Sequence, residues 1–338
     1  MKKLPLLLII VFSISFAQTV EYSDEFLKFG ASTRSISLGQ AVVALPQHVE
    51  GYLVNPAATS YLSGIVVTGM FANQMYNNEV VLTKYYSAGI QIPIKSGFQF
   101  GIHGVSLGVD NIFERPDLFN VIDVESRRDS IRELYEKGLN PFNTRQSALT
   151  FNVSKNISQR IRLPKKSIVP FVIPFGLNVR VLSMDLFNNK GIGIGFDFGT
   201  MLKFNFERVN RFKLVDEISF GSAITNLNNT KIYWDSDTNE IIPMEIIYGA
   251  GVSRSFKIIP VKLVFIGQSK SRNNKKFQYG SELILLEKIS IRFGSEYDTL
   301  QGGLGIKFTK PDKKFGIDYS FSNNDLGNSH RFGGWISF

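Results

Sequence analysis

Asp197, Glu282, Glu296 and Asp318, together with Arg180, Arg254 and Arg292, are the residues whose types invite chemistry. A carboxylate becomes a general acid or base when its surroundings tune its proton affinity. Facing a guanidinium, it forms a charge-assisted pair instead. All seven lie in segments where apolar residues recur at every second position, which puts them on the opposite faces of strands. The set reads as a polar network on inner strand faces, not as an acid–base pair. His48, His103 and His330 are far apart and none has a partner at metal-ligand spacing. The chain has no cysteine, so thiolate metal sites, disulfides and cysteine nucleophiles are excluded. No serine-nucleophile elbow is expected. Gly191, Gly193 and Gly195 alternate with bulky residues and open no helix, so they are no dinucleotide loop. No catalytic residue, cofactor or metal is expected, and the chain reads as non-enzymatic.

The elements that carry these residues are strands. The clearest runs from Gly191 to Phe206, with Ile192, Ile194, Phe196, Phe198, Leu202, Phe204 and Phe206 on one face. Gly193, Gly195, Asp197, Gly199, Lys203 and Asn205 fall on the other. Such alternation outlasts the five or six residues usual for a soluble strand. It recurs in Phe98–Ile102, Leu149–Val153, Leu177–Val181, Ile218–Phe220, Ile246–Val252, Val261–Phe265, Phe277–Tyr279, Ile289–Phe293, Leu304–Phe308 and Phe315–Tyr319. Less regular strands near Ile65–Phe71 and Tyr86–Ile94, and a last one at Arg331–Phe338, bring the count to about fourteen. Among 338 residues there are 29 Phe, 12 Tyr and 29 Gly, a composition that favours β architecture. The inward faces read as rich in Gly, polar and charged residues.

The fold class follows: all-β, a single transmembrane antiparallel barrel of about fourteen strands, apolar outward to lipid and mixed inward. Closing the sheet removes the free edges that lipid cannot satisfy. The first, third and seventh connectors (Ala72–Thr83, Asp110–Asn143 and Leu227–Pro243) are expected as long outer loops. Lys95–Gly97, Lys257–Pro260, Leu286–Lys288 and Thr309–Lys313 are expected as short inner turns. Within the longest loop, Ile131, Leu134 and Tyr135 mark one side of a short helix over Val124–Gly138. It is expected either to touch a partner or to fold over the barrel rim.

Met1-Lys2-Lys3, the apolar run Leu4–Phe16 and Ser15-Phe16-Ala17 have the layout of a cleaved export signal. The run is shorter than the roughly 20 residues a membrane helix needs. The expected division is a signal peptide over 1–17, an N-terminal segment over 18–63 and a barrel over 64–338. The net charge of +9 includes Lys2 and Lys3. The basic clusters at Arg160–Lys166, Arg208–Lys213 and Lys310–Lys314 fall between strands, so they do not make a nucleic-acid face.

Two stretches resemble known families. The tail Arg331-Phe-Gly333-Gly-Trp-Ile336-Ser-Phe338 has apolar or small residues at alternate positions and ends on an aromatic. That spacing resembles the C-terminal signal by which bacterial outer-membrane barrels are recognised for insertion, which implies the barrel insertion machinery as a partner. A soluble sheet protein ending on an apolar strand would share the pattern. Phe26-Leu27, the small-residue run holding Arg34, Leu38-Gly39, Ala41–Ala44 and Asn55-Pro56-Ala57 follow in the order of the N-terminal signature of FadL-like outer-membrane proteins. The resemblance is to their PorV/PorQ branch. The branch often has acidic residues before Asn-Pro-Ala, where this chain has Pro46-Gln-His-Val-Glu50.

Asn is suited to cap a helix and Pro to open one. The resemblance implies that residues 18–63 plug the barrel and that the mature chain resides in the outer membrane of a diderm bacterium, in contact with its lipid. It further implies a shuttle or attachment subunit of type IX secretion. Its partners would be the translocon, cargo C-terminal domains and the attachment complex, met through its outer loops. The alternative that it leaves open is a FadL-type transporter of long-chain fatty acids or other hydrophobic solutes.

Overall fold

A computed structural model describes residues 23–45, 49–62, 64–77, 80–113, 123–137, 141–162, 168–206, 215–256, 259–272, 277–296, 299–324 and 327–338. The expected signal peptide lies outside the described residues, as do the first residues of the expected plug segment. Sixteen strands are described. They are β1 (Val66–Asn77), β2 (Val80–Pro93), β3 (Phe98–Phe113), β4 (Pro141–Arg162), β5 (Ile168–Leu186), β6 (Asn189–Asn205), β7 (Glu217–Thr225) and β8 (Lys231–Trp234). They continue with β9 (Asn239–Ile241), β10 (Glu245–Phe256), β11 (Val261–Lys270), β12 (Phe277–Leu285), β13 (Ile289–Glu296), β14 (Thr299–Thr309), β15 (Lys314–Asn324) and β16 (Gly327–Ser337).

Every strand in the ring pairs antiparallel with its neighbour, β5 pairs with β6, and β1 pairs with β16, so the sheet closes on itself. β8 and β9 form a hairpin beside the start of β6 and stand outside the ring. Fourteen strands therefore make the barrel. At the seam, Val66 faces Ser337, Ala72 faces Arg331, and the Phe338 amide donates to the Ile65 carbonyl at 2.9 Å. No described helix is long and apolar enough to cross a membrane. The crossing is made by strands, in which each ladder satisfies the next.

The strands form because two-residue periodicity separates two solvents. Along β6, Ile192, Ile194 and Phe196 are 56%, 51% and 46% exposed, while Gly191, Gly193, Gly195 and Asp197 are buried. Every ring strand carries at least one large exposed apolar residue, from Phe71 on β1 to Phe332 on β16. In water such a surface would be untenable. In lipid it is the ordinary exterior of a barrel.

The connectors depart from expectation. The third does carry a helix, α2 (Val124–Glu136), and the seventh carries the β8–β9 hairpin. The first is not a long loop: β1 runs to Asn77 and β2 starts at Val80. The stretch Asn156–Arg162 continues β4. Strands here outrun the bilayer. β4 has 22 residues, which at about 3.3 Å per residue and a tilt near 40° rise about 55 Å, against a hydrocarbon core of about 30 Å. β13 has eight residues and rises about 20 Å. The wall is tall at β3–β6 and low at β11–β13. The end bearing the third and seventh connectors is the loop end, and the other is the turn end.

Residues 23–45 and 49–62 run inside the ring. All residues from Ser35 to Leu45 are buried. Their elements are a 3₁₀ turn (Glu25–Phe29), helix α1 (Thr33–Ser37) and 3₁₀ helices Val49–Leu53 and Pro56–Tyr61. α1 packs on β13–β16, and Pro56–Tyr61 packs on β4–β6.

Candidate functional site, a plugged lumen

The internal segment is seated by its signature residues. Ser32 caps α1, its hydroxyl accepting from the Ser35 amide at 3.0 Å. The cap aims Arg34 at β12, where Nε and Nη2 both donate to the Glu282 carboxylate, at 3.2 and 2.7 Å. Glu282 also accepts from Arg292 Nε at 2.7 Å, and Arg292 Nη1 donates to Asp318 at 2.6 Å. One buried network thus ties α1 to β12, β13 and β15. Leu38 is fully buried, and Gly39 takes the left-handed φ of 63° that a side chain disfavours. Both press their backbones onto the wall at Gly294, where an added methyl would overlap Leu38 and Gly39. A glycine there is required by close approach, not by flexibility.

Asn55 plays two parts. Its Oδ1 accepts from the Ala57 amide at 3.0 Å and caps the Pro56–Tyr61 helix, with Pro56 in the first position. Its Nδ2 donates to the Val43 carbonyl at 2.7 Å and the Thr200 carbonyl at 3.2 Å, joining two turns of the segment to β6. Pro56 O accepts from Asn152 at 3.1 Å, and Ala57 is fully buried. Of the tail residues, Arg331 and Gly333 face the lumen, Gly333 lying against Thr33. Ile336 alternates with them on the outer face, and Phe338 is 59% exposed at the turn end.

The other candidates divide. Arg180 and Asp197 form a buried pair that also takes Asn178 and the Asn226 amide. Arg254 does not join the inner carboxylates. It is a third exposed and pairs with Asp216 at 2.9 Å. Among the described residues Glu296 forms no ion pair with an arginine; it accepts from Gln40 at 2.6 Å and Gln278 at 2.7 Å. His103 stacks on Tyr52 at 4.0 Å and bonds Gln91 at 3.0 Å, and His330 bonds Tyr319 at 2.8 Å on the outer face. His48 lies outside the described residues. Gly104-Val-Ser106-Leu-Gly108 does spell the spacing of a nucleophile elbow, contrary to the expectation that none occurs. It runs straight through β3, and Ser106 bonds Ser147 at 2.9 Å, so it lacks the strand-to-helix turn an elbow needs.

The reading of the inward faces as rich in Gly, polar and charged residues needs correction at one end of the lumen. Toward the loop end, Met70, Tyr85, Val105, Leu182, Met184 and Ile232 line one side with apolar surface. The segment fills this chamber with Phe26, Leu27 and Phe29, the Phe29 ring lying 5.8 Å from Tyr85. Polar tethers hold its start: Arg272 donates to Asp24 at 2.8 Å, and Glu240 accepts from the Ser23 amide at 2.6 Å. The turn end is charged. One cavity of about 370 Å³ there is lined by Arg34, Glu282, Arg292, Lys307, Lys314 and Asp318 among others. A second of about 360 Å³ is lined by Arg34, Lys203, Glu217 and Lys262 with several apolar residues. Beside it, burial and the Glu217 charge push the Tyr61 hydroxyl well above the usual tyrosine range. What the sequence hid was the apolar chamber. Its only trace is doublets such as Met70-Phe71, Tyr85-Tyr86 and Val181-Leu182, where bulky residues occupy both faces.

The fold and lumen together define a class: a transmembrane β-barrel of fourteen strands with its own N-terminal segment inside. No family model matches the chain, and no curated protein matches it. Among solved structures it is similar to the P. putida toluene transporter TodX, with 10% identity, 91% of this chain and 96% of TodX covered, and a TM-score of 0.47. The Ralstonia pickettii toluene transporter TbuX gives 12%, 91%, 97% and 0.43. The Acinetobacter baumannii outer membrane protein Omp33 gives 10%, 81%, 98% and 0.37.

Proposed function

We propose that this chain is an outer-membrane barrel of the FadL-like kind that takes a hydrophobic solute into its loop-end chamber. The observation that carries this reading is the chamber itself, apolar on its wall and occupied by Phe26, Leu27 and Phe29. An apolar surface inside a barrel is covered by apolar groups of the chain or of a solute. The ring-bearing turn is the group that a solute displaces. The charged turn end below it sets a polar stage that a solute crosses only after the segment shifts.

The test is binding of a hydrophobic fluorophore such as N-phenylnaphthylamine by the purified barrel in proteoliposomes. Replacing Phe26 and Phe29 together by Ala is expected to raise binding several-fold without changing heat-modifiable gel migration. Equal binding by both forms would defeat the reading.

A second reading has its own observation. α2 exposes Val124 at 59% and Ile131 at 37%, and the β8–β9 hairpin exposes Tyr233 and Ile241. Apolar residues displayed on both long connectors suit contact with protein partners, as expected of a type IX secretion shuttle or attachment subunit of the PorV/PorQ kind. Recovery of secreted cargo domains or attachment components with the tagged barrel from outer membranes supports this reading. Their absence, with hydrophobic solute recovered instead, supports the first.

A further inference from the structure

Twelve buried side-chain nitrogen and oxygen atoms among the described residues have no hydrogen-bond partner, and six of them belong to one patch of the lumen wall: Arg331 Nε, Tyr85 Oη, Gln74 Nε2, Ser320 Oγ, Thr83 Oγ1 and Gln301 Oε1. Strand register gathers them. Tyr85 and Arg331 both face Ala72 from either side, and Ser320 faces Arg331 from the next strand. Gln74 stands two residues beyond Ala72, opposite Thr83, while Gln301 faces Ser322 at the β14 margin. Because Ala72 has only a methyl group, the long side chains of Tyr85 and Arg331 have room to meet above it. Gln74, Tyr85 and Ser320 are fully buried, and Arg331 is 4% exposed.

Charge makes the patch distinctive. Arg34, Arg180 and Arg292 each hold a carboxylate in the lumen. Arg331 hydrogen-bonds only neutral groups among the described residues, with Nη1 on Ser322 Oγ and Nη2 on Gln74 Oε1, both at 2.8 Å. The Glu296 charge acts on Arg331 from a distance, but its oxygens are taken by Gln40, Gln278 and Gln301. A buried guanidinium with no carboxylate in direct contact is costly, and unsatisfied donors beside it add to that cost. Five of the six free atoms are on groups that can donate: a guanidinium, a primary amide, a phenol and two hydroxyls. Gln301 Oε1 is an acceptor and lies at the edge. The internal segment closes the patch from inside, with Phe29 over Tyr85 and the Ala31 carbonyl accepting from Ser87 at 2.7 Å.

We propose that Arg331, Tyr85, Gln74 and Ser320 form a binding site for one small monovalent anion, a halide or a formate-sized carboxylate, enclosed between the β16–β1 seam and the Phe29–Ala31 stretch. One negative charge balances the one guanidinium, and the hydroxyl and amide donors complete its shell. Its role is to fasten the internal segment to the seam.

The test uses the full-length barrel purified in detergent, at constant ionic strength, with gluconate replaced stepwise by chloride, bromide or formate. The unfolding midpoint is expected to rise with the small anions, and Tyr85→Phe and Ser320→Ala are each expected to require several-fold more anion for the same shift. Arg331→Met is expected to abolish the dependence. Crystals grown in bromide are expected to show an anomalous peak within hydrogen-bond reach of Arg331 Nε. A response to formate with none to halide supports the same site with a carboxylate ligand. If Arg331→Met fails to fold, the two milder variants still decide. A midpoint indifferent to all three anions, or an unaltered response in both Tyr85→Phe and Ser320→Ala, would overturn the proposal.

Discussion

The two ends of the lumen hold the same segment differently, the loop end adding only the Arg272–Asp24 and Glu240–Ser23 tethers to apolar contact. At the loop end, Phe26 and Phe29 share one apolar cluster with Tyr85, Met184 and Ile232, in contacts without direction. At the turn end, Arg34, Glu282, Arg292 and Asp318 interlock through distances of 2.6 to 3.2 Å. Apolar contact accepts any occupant of similar size and greasiness, whereas a buried ion network tolerates no substitute. The difference teaches where the barrel can exchange its own side chains for a guest and where it is fixed.

Glu282→Gln attacks the fixed end most directly. It leaves Arg34 without its bidentate partner and Arg292 with Asp318 alone. The expected loss is about 3 kcal/mol, the lower end of the range for breaking a buried pair because Arg34 is partly exposed. It is checked by a lowered midpoint for heat-modifiable migration and by faster amide exchange throughout Thr33–Leu45. Phe26→Ala attacks the exchangeable end, with an expected loss of about 3 kcal/mol. Its effect is confined to exchange at residues 24–31. If Phe26→Ala loosens Thr33–Leu45 as much as Glu282→Gln does, the contrast between the ends is broken.

Gly294→Val tests the seating without touching charge. Its side chain meets the backbones of Leu38 and Gly39, neither of which can yield. A penalty of about 2 kcal/mol is expected, typical of overpacking, and single-channel recordings should show larger conductance as the segment lifts. The smallest effect lies outside the barrel. Asp123 caps α2 by accepting from the Ser126 amide at 2.8 Å, which holds its carboxyl below the usual aspartate range. A depressed value in the folded form means the cap stabilises α2 above the ordinary value of 3.8 and is lost as pH falls through the folded one. Helical circular dichroism should therefore decline at the acid end. Asp123→Ala should remove that pH dependence and leave the barrel midpoint unchanged.

The barrel was legible because lipid and lumen enforce period two at every crossing, as in Gly191–Phe206. Legibility ended where strands left the bilayer. Beyond it the outer face meets water too, so Asn73 and Trp234 break the apolar alternation and read as loop although the chain stays extended. The seating residues Arg34, Gly39 and Asn55 were visible by their types and order. Their partners Glu282, Gly294 and Thr200 sit more than a hundred residues away on other strands, and spacing along a sequence carries no trace of such register. The apolar chamber was masked for a related reason. An inward Leu182 beside an outward Val181 looks like a lapse in alternation, when it is a second apolar face.

The β1–β16 seam has a consequence for how the molecule is assembled. Val66 and Ser337 are farther apart in sequence than the partners in any other ladder of the barrel. Bringing such distant segments together carries the largest entropic penalty of any pairing in the ring. The neighbouring hairpins therefore zip first and the seam last. Residues 23–45 and 49–62 precede β1 and end up enclosed, so they must already occupy the curling sheet before that final ladder forms. The internal segment is then a mould around which the cylinder is completed, and its misplacement would be expected to show first as barrels that never close.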